Sequence, residues 1–545
     1  MRGDVLQELK KQNFLKGAAI LAAASIFVKI VGAIYKIPLF QDGVLGDVGT
    51  GAFQVTYSVY ALILSIATAG IPVALSRMVS AAAARGSTRL VRRYFSVALP
   101  SFMLIGIVAM LVMFLFADGL SGLMNNRLAA PGIQVLAPAV FFACIISVYR
   151  GYAQGFENMI PTAVSQIVEV ICKMAIGLAV AMWFVSMSYE PHIVSAGAIT
   201  GVTIGLGLCV PPLVWYKRKL DRGLGTAEGS VKLPSGLSIF GSLMKVSIPI
   251  TLSASFMSIM AVIDNSVVLG RLQSAFLFTE EEALALFGVY TRGLTIYNLP
   301  PALIVPVAVS IIPAIAAALA KEDKDEAGSI MRSSIKLHNL LAMPACAGVM
   351  VLAGPILLAL YNESRENAVT MLIILGAASF FVCLQHITMA ILQANGHERI
   401  AMLTFPVGAV LRIMLSYFLV GNPNVGIVGT PIGNLACFMV ISALNIVFIM
   451  TRVKHRPKLS DTFLKPLLCT AAMAAAAYLV YELVYRLGYN LVGAGRFAVS
   501  LYLAAAIFAA VIVYVILVIV TRTVTMEDMK LVPKGEKLAE ILRIK

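Results

Sequence analysis

Ionisable side chains recur at helical spacing inside stretches that are otherwise apolar. Ser25, Lys29, Gly32 and Lys36 follow one another at steps of four, three and four residues, which places them on one helix face. Thr162, Ser165, Gln166, Glu169 and Lys173 form a second stripe. A charge at bilayer mid-depth costs about 2.5–3.5 kcal/mol on the insertion scale, so such residues are expected to face a watery chamber or a partner. Lys29 lies about 22 Å along its apolar run at 1.5 Å per residue, too deep for its stem alone to reach water, whereas Lys36 is near enough to the far end to snorkel. Glu169 and Lys173, four apart, can neutralise each other or line a chamber together. Thr251, Ser255, Ser258, Asp264 and Asn265 mark a third segment, and Tyr290-Thr291-Arg292, with Thr295 and Asn298, a fourth. A guanidinium offers a planar fork of donors to phosphate or carboxylate, which makes Arg292 a candidate anion ligand; the alternative is an interfacial anchor. Asp264 and Asn265 suit a coupling cation, or Asp264 a charge pair with Arg292 or Arg271. Arg412 and His386 carry a weaker signal, since an isolated histidine is more often packed than liganding. The candidate binding set is therefore Lys29, Lys36, Gln166, Glu169, Lys173 and Arg292.

The elements that carry these residues must be membrane helices. Sixty per cent of the 545 residues are hydrophobic and only 13% are charged, more apolar surface than one soluble core hides. Apolar runs of spanning length fall at 14–39, 52–80, 94–117, 132–155, 161–186, 194–216, 239–270, 284–320, 335–361, 368–395, 400–420, 427–451, 464–486 and 497–520. The expected fold is an all-α polytopic membrane protein of about 14 spans. The net charge of +15 is concentrated between spans, as at Arg85, Arg89, Arg92 and Arg93, Lys217 to Arg222, Lys321 with Lys324, and Arg452 to Lys458. That pattern is membrane orientation rather than a nucleic-acid footprint, and it predicts a multi-pass protein of the cytoplasmic membrane with both termini in the cytoplasm. Pro72, Pro249, Pro300, Pro301, Pro306 and Pro313 are expected to bend their helices. The seven cysteines lie in apolar runs without metal-ligand spacing, and no zinc, phosphate-loop or nucleophile-elbow motif is present. Neither a metal nor a cofactor is expected, and the energy source would be membrane potential or a monovalent cation gradient.

The chain also repeats itself. Leu15-Lys16 is similar to Met244-Lys245, Ile71-Pro72-Val73-Ala74-Leu75-Ser76 to Val305-Pro306-Val307-Ala308-Val309-Ser310, and Gln154-Gly155-Phe156-Glu157 to Asn395-Gly396-His397-Glu398. Offsets of 229 to 241 residues preserve the order, so six spans are followed by six related ones. This divides the chain into an N-terminal lobe (1–225), a C-terminal lobe (226–460), two further helices (461–521) and a tail (522–545), with a central cavity expected between two pseudo-symmetric lobes. The tail, with Met526, Met529, Leu531 and Leu538 among charges, suits either the inner membrane surface or solvent.

Tyr149-Arg150-Gly151-Tyr152-Ala153-Gln154-Gly155, followed by Pro161-Thr162-Ala163-Val164-Ser165-Gln166-Ile167-Val168-Glu169, closely resembles the signature of the stage V sporulation protein B and YtgP group. These are polysaccharide-type members of the multidrug/oligosaccharidyl-lipid/polysaccharide exporter superfamily. The opening Phe14-Leu15-Lys16-Gly17, Gly70-Ile71-Pro72 with Ser76-Arg77, and Arg292-Gly293 are similar too. The resemblance implies fourteen helices in two six-helix lobes, alternating access, and transport of lipid II or another lipid-linked glycan for peptidoglycan synthesis, as in the related MurJ flippases. By local match Lys29 and Arg292 stand where those flippases carry cavity arginines in spans 1 and 8. A second span 1 arginine is represented by Tyr35 with Lys36 beside it, and the span 2 arginine is replaced near Leu64 or Ser65. Spans 13 and 14 would share the lipid-tail groove of those relatives. The implied partners are an anionic lipid-linked glycan, membrane lipids and cell-wall synthesis proteins. The rival readings are a cation-coupled multidrug antiporter of the same superfamily, which would favour carboxylates in its cavity, and a membrane glycan polymerase or acyltransferase, for which the loops leave little room.

Overall fold

The computed structural model describes residues 2–223, 233–453, 460–493 and 495–524, and places side chains from Gly17 onward with short interruptions. The expected basic residues Lys454, Arg456 and Lys458 and the tail from 525 lie outside the described residues. Among the described residues there is no strand, and thirteen segments are long and apolar enough to cross a membrane. The first expected span, 14–39, is also helical throughout.

Two compact units adjoin in sequence at Gly288 and Val289. The first contains α1 (Arg2–Leu39), α2 (Gly46–Thr68), α3 (Ile71–Ala84), α4 (Thr88–Leu115), α5 (Ala117–Gly122), α6 (Ala130–Gln154), α7 (Ile160–Ser186), α8 (Pro191–Gly223) and α9 (Gly236–Phe276), and it ends within α10 (Glu280–Tyr297). Helices α6, α7 and α8 pack on one another, α1 lies along α7, and α9 lies against α2, α3 and α4. Phe95, Phe102, Tyr152, Leu75, Val79 and Ile239 form one core of this unit.

The second unit continues with α11 (Leu299–Ala320), α12 (Lys324–Val351), α13 (Ala353–Tyr361), α14 (Glu366–Ala394), α15 (Glu398–Val420), α16 (Gly429–Arg452), α17 (Ser460–Val492) and α18 (Arg496–Val520). The last two helices are fastened to this unit by polar contacts as well as by Met473, Ala477, Val499 and Ala506. The Asn339 amide donates to the Thr462 carbonyl at 2.9 Å, the Tyr514 hydroxyl to the Leu340 carbonyl at 2.8 Å, and Arg496 to the carbonyls of Ala359 and Leu360 at 2.8 and 2.6 Å. Arg496 thereby satisfies carbonyls that the end of α13 leaves without helical partners.

Three expected spans divide: 335–361 breaks at Leu352 into α12 and α13, and at the other two breaks proline marks the new helix. The 52–80 run separates into α2 and α3 at Ala69-Gly70, and the 284–320 run into α10 and α11 at Asn298. Pro72, Pro300 and Pro301 sit in the first turns of the new helices, where a missing N–H breaks no intrahelical bond. They start helices rather than kink them, while Pro249, Pro306 and Pro313 lie inside α9 and α11 as expected.

Candidate functional site

The stripe on α7 divides between two neighbours. Its lower part faces α6. Gln154 donates to Thr162 at 3.1 Å, Arg150 Nε donates to the Ser165 hydroxyl at 2.8 Å, and Arg150 Nη2 pairs with Glu169 at 3.4 Å. Glu169 is therefore neutralised by Arg150, nineteen residues away on another helix. Arg150 was not among the candidates read from the sequence, although it stands in the signature run.

One turn further along α7, Lys173 faces aromatic rings. Its Nζ lies 4.6 Å from the centroid of Tyr57 on α2 and 5.9 Å from that of Tyr35 on α1. Lys36 sits 5.7 Å over Phe40, and the Lys36 and Lys173 ammonium groups are close enough to repel each other. Both distances from Lys173 and that of Lys36 fall inside the range of cation–π attraction. Lys29 is exposed on α1. Among the described residues, no carboxylate pairs with Lys29, Lys36 or Lys173. The buried Gln166 Oε1 and the Tyr35 hydroxyl have no hydrogen-bond partner among the described residues. The structure thus brings together Lys36, Lys173 and two tyrosines, with the Arg150–Glu169 pair adding no net charge. Such a cluster attracts anions and disfavours cations.

Of the candidates on α9, Thr251, Ser255 and Asn265 make contacts between helices. Asn265 donates to the Ser58 hydroxyl at 2.9 Å, the Ser65 and Ser255 hydroxyls bond at 3.1 Å, and the Gly70 N–H donates to Thr251 at 3.2 Å. These contacts run along the α2–α9 and α3–α9 seams, where hydrogen bonding between helices in lipid adds to van der Waals packing. Asp264 is buried beside Asn265.

Arg292, on α10, is fully buried in the second unit. Its Nη1 pairs with Glu363 Oε2 at 3.3 Å, and its guanidinium carbon lies 5.8 Å from the Tyr361 ring centroid. Asn362 closes α13 in the left-handed conformation, which turns the chain so that Glu363 follows directly. Glu363 also accepts from Arg365, through the backbone N–H at 3.0 Å and Nε at 2.8 Å, and pairs with Arg365 Nη2. Burial pushes the Glu363 carboxyl up, but the Arg365 hydrogen bonds and the charges of Arg365 and Arg292 outweigh it and hold the group below the usual carboxylate range. In this structure the Arg292 guanidinium offers no exposed surface to a ligand. Glu363 is not among the candidates read from the sequence, where its partner stands 71 residues earlier.

The polysaccharide biosynthesis protein family matches residues 14–319, and the MatE family matches residues 249–418. The chain is 25% identical to the uncharacterized membrane protein YabM of Bacillus subtilis (strain 168), over 98% of each chain. It is 24% identical to the lipid II flippase MurJ of the same organism, over 78% of this chain and 81% of MurJ. Among solved structures, the inward closed conformation of lipid II flippase MurJ superposes with a TM-score of 0.67 at 14% identity, covering 92% of this chain and 99% of that one, a likeness of fold. The chain belongs to the polysaccharide biosynthesis protein family and is a transporter of the multidrug/oligosaccharidyl-lipid/polysaccharide exporter superfamily.

Proposed function

We propose that this transporter moves a lipid-linked, pyrophosphate-bearing glycan, lipid II or a related cell-wall precursor, from the inner to the outer leaflet by alternating access. The observation that carries this reading is the group of membrane-depth lysines, Lys29, Lys36 and Lys173, without a carboxylate partner among the described residues. Retaining unneutralised ammonium groups there costs about 2.5–3.5 kcal/mol each, a cost that a bound pyrophosphate offsets. Lys36 and Lys173 would grip the phosphates, Gln166 would meet a sugar or phosphate oxygen, and Glu169 would hold Arg150 beside them. Arg292 would act as an anion ligand only in a state in which it leaves Glu363. Asp264 and Asn265 are the place for a coupling cation; alternatively, membrane potential resets the carrier, since one charge crossing 100 mV is worth about 2.3 kcal/mol. The proposed setting is a bacterial cytoplasmic membrane, both termini inside, beside cell-wall synthesis proteins.

The test is complementation of a strain depleted of its lipid II flippase, together with lipid II translocation by reconstituted protein. Lys36→Ala and Lys173→Ala should each slow translocation by about 10- to 150-fold, because a hydrogen bond to a charged group is worth about 1.5–3 kcal/mol. Wild-type rates in the double variant would sink this site. Efflux of cationic drugs that requires Glu169 or Asp264, without any effect on wall synthesis, would favour the antiporter instead.

A further inference from the structure

A cation buried in a transport site must be held without being neutralised. A carboxylate would fix Lys173 in place but would cancel the charge and compete with an anionic ligand for it. The π face of a tyrosine attracts the ammonium through its quadrupole and adds no net charge. This is the arrangement found. Lys173 Nζ lies over Tyr57 at 4.6 Å and near Tyr35 at 5.9 Å.

Tyr57 is itself braced. Its ring is stacked on Phe53 at 6.0 Å with an interplanar angle of 6°, and Tyr60 lies tilted against it at 5.7 Å. Phe53 meets Phe40 edge-on at 5.5 Å, and Phe40 is the ring on which Lys36 sits. Phe40 and Phe53 are buried, whereas Tyr57 is partly exposed. An aromatic column, Phe40–Phe53–Tyr57, therefore runs between α1 and α2 with one lysine at each end. Because the rings are fixed by packing, they fix the two ammonium groups relative to each other despite their mutual repulsion.

We infer that Tyr57 is a positioning residue for Lys173, and that the Phe40–Phe53–Tyr57 column sets the separation of Lys36 and Lys173 so that they take the two phosphates of a diphosphate together. The second half of this inference rests on the transport reading above; the first half does not. Tyr35 contributes as the second, more distant ring.

The experiment labels the purified full-length chain in detergent with a membrane-permeant imidoester and follows modification of Lys173 by mass spectrometry. Tyr57→Leu should raise the labelling rate of Lys173 severalfold, and Tyr57→Phe should restore the wild-type rate, since both rings present a π face. Equal labelling in Tyr57→Leu and wild type overturns the inference. The same proteins are titrated with inorganic pyrophosphate and inorganic phosphate. Tyr57→Leu should weaken pyrophosphate binding about 2- to 30-fold. It should have no further effect in a Lys173→Met background. A loss of equal size in that background makes Tyr57 a general packing residue and overturns the inference. If labelling responds as expected but wild-type protein prefers phosphate to pyrophosphate or binds neither, the positioning role stands and the two-phosphate grip falls with the transport reading.

Discussion

Gly288→Ala is expected to destabilise the protein by about 3 kcal/mol, at the upper end of the range for overpacked interiors. A methyl group at Gly288 would lie 1.9 Å from the Asp47 carbonyl oxygen, 2.8 Å from its carbon and 3.1 Å from the Gly51 nitrogen. All three are backbone atoms, so no rotamer change relieves the clash, and α2 would have to move away from α10. The crossing is reciprocal, because a Cβ on Gly51 would fall 2.2 Å from the Leu284 carbonyl oxygen. A glycine on each of two facing helices allows such close approach in membranes. Alanine is a better helix former than glycine by about 1 kcal/mol, which acts in the opposite direction but is the smaller effect. Gly119→Ala is the control, since nothing lies within 4 Å of the added methyl. The comparison is made by thermal unfolding of the full chain in detergent. A Gly288→Ala midpoint at or above that of Gly119→Ala would show that the two helices do not meet as described.

The membrane helices were legible because lipid demands long apolar runs, and each run is a local property of the sequence. The Gly70-Ile71-Pro72 break was half legible. Proline marked the position, but whether it bends a helix or begins one depends on whether the preceding residues stay helical, and the 284–320 run posed the same question. What spacing could not reveal was the partner of each charge. Glu169 and Lys173 are four apart and suited to each other, yet Arg150 takes Glu169 from α6 and Lys173 goes to Tyr57 and Tyr35. Local geometry permits both arrangements, and the tertiary one wins because a guanidinium makes two directed contacts, to Ser165 and Glu169, where an ammonium on the same helix would make one. The same limit hid Glu363, whose partner Arg292 lies 71 residues earlier in the chain. A lone carboxylate beside an arginine in a short connection reads as solvated until the fold buries it.

Burial also makes the Arg292–Glu363 pair the place where a single charge change should be felt most. The two side chains are 1% and 3% exposed, so Glu363→Gln leaves the guanidinium without this carboxylate in a poorly solvated setting. The expected cost is about 3 kcal/mol, the lower end for breaking a buried pair. Arg292→Met should cost a similar amount, because Glu363 then keeps only Arg365, which is half-exposed. Replacing both at once, Arg292→Met with Glu363→Leu, removes the pair without leaving either charge behind and should recover most of the loss. The pH dependence has a definite sign. The folded state holds the Glu363 carboxyl below its usual value, while in the unfolded chain it titrates near about 4.3. Its contribution is thus fully present above about pH 4.3 and is lost as the pH falls through the lower, folded value. The stability gap between wild type and Glu363→Gln should therefore be constant near neutrality and begin to narrow below about pH 4.3. Unfolding midpoints measured across that range decide the matter, and a gap that widens with acid would mean that the folded state does not favour the ionised carboxylate. The double variant then separates scaffold from ligand. If it is stable but transports far more slowly than wild type, the guanidinium has a second task that Glu363 does not share. If it is stable and active, holding the α13–α14 connection in place is all that Arg292 does.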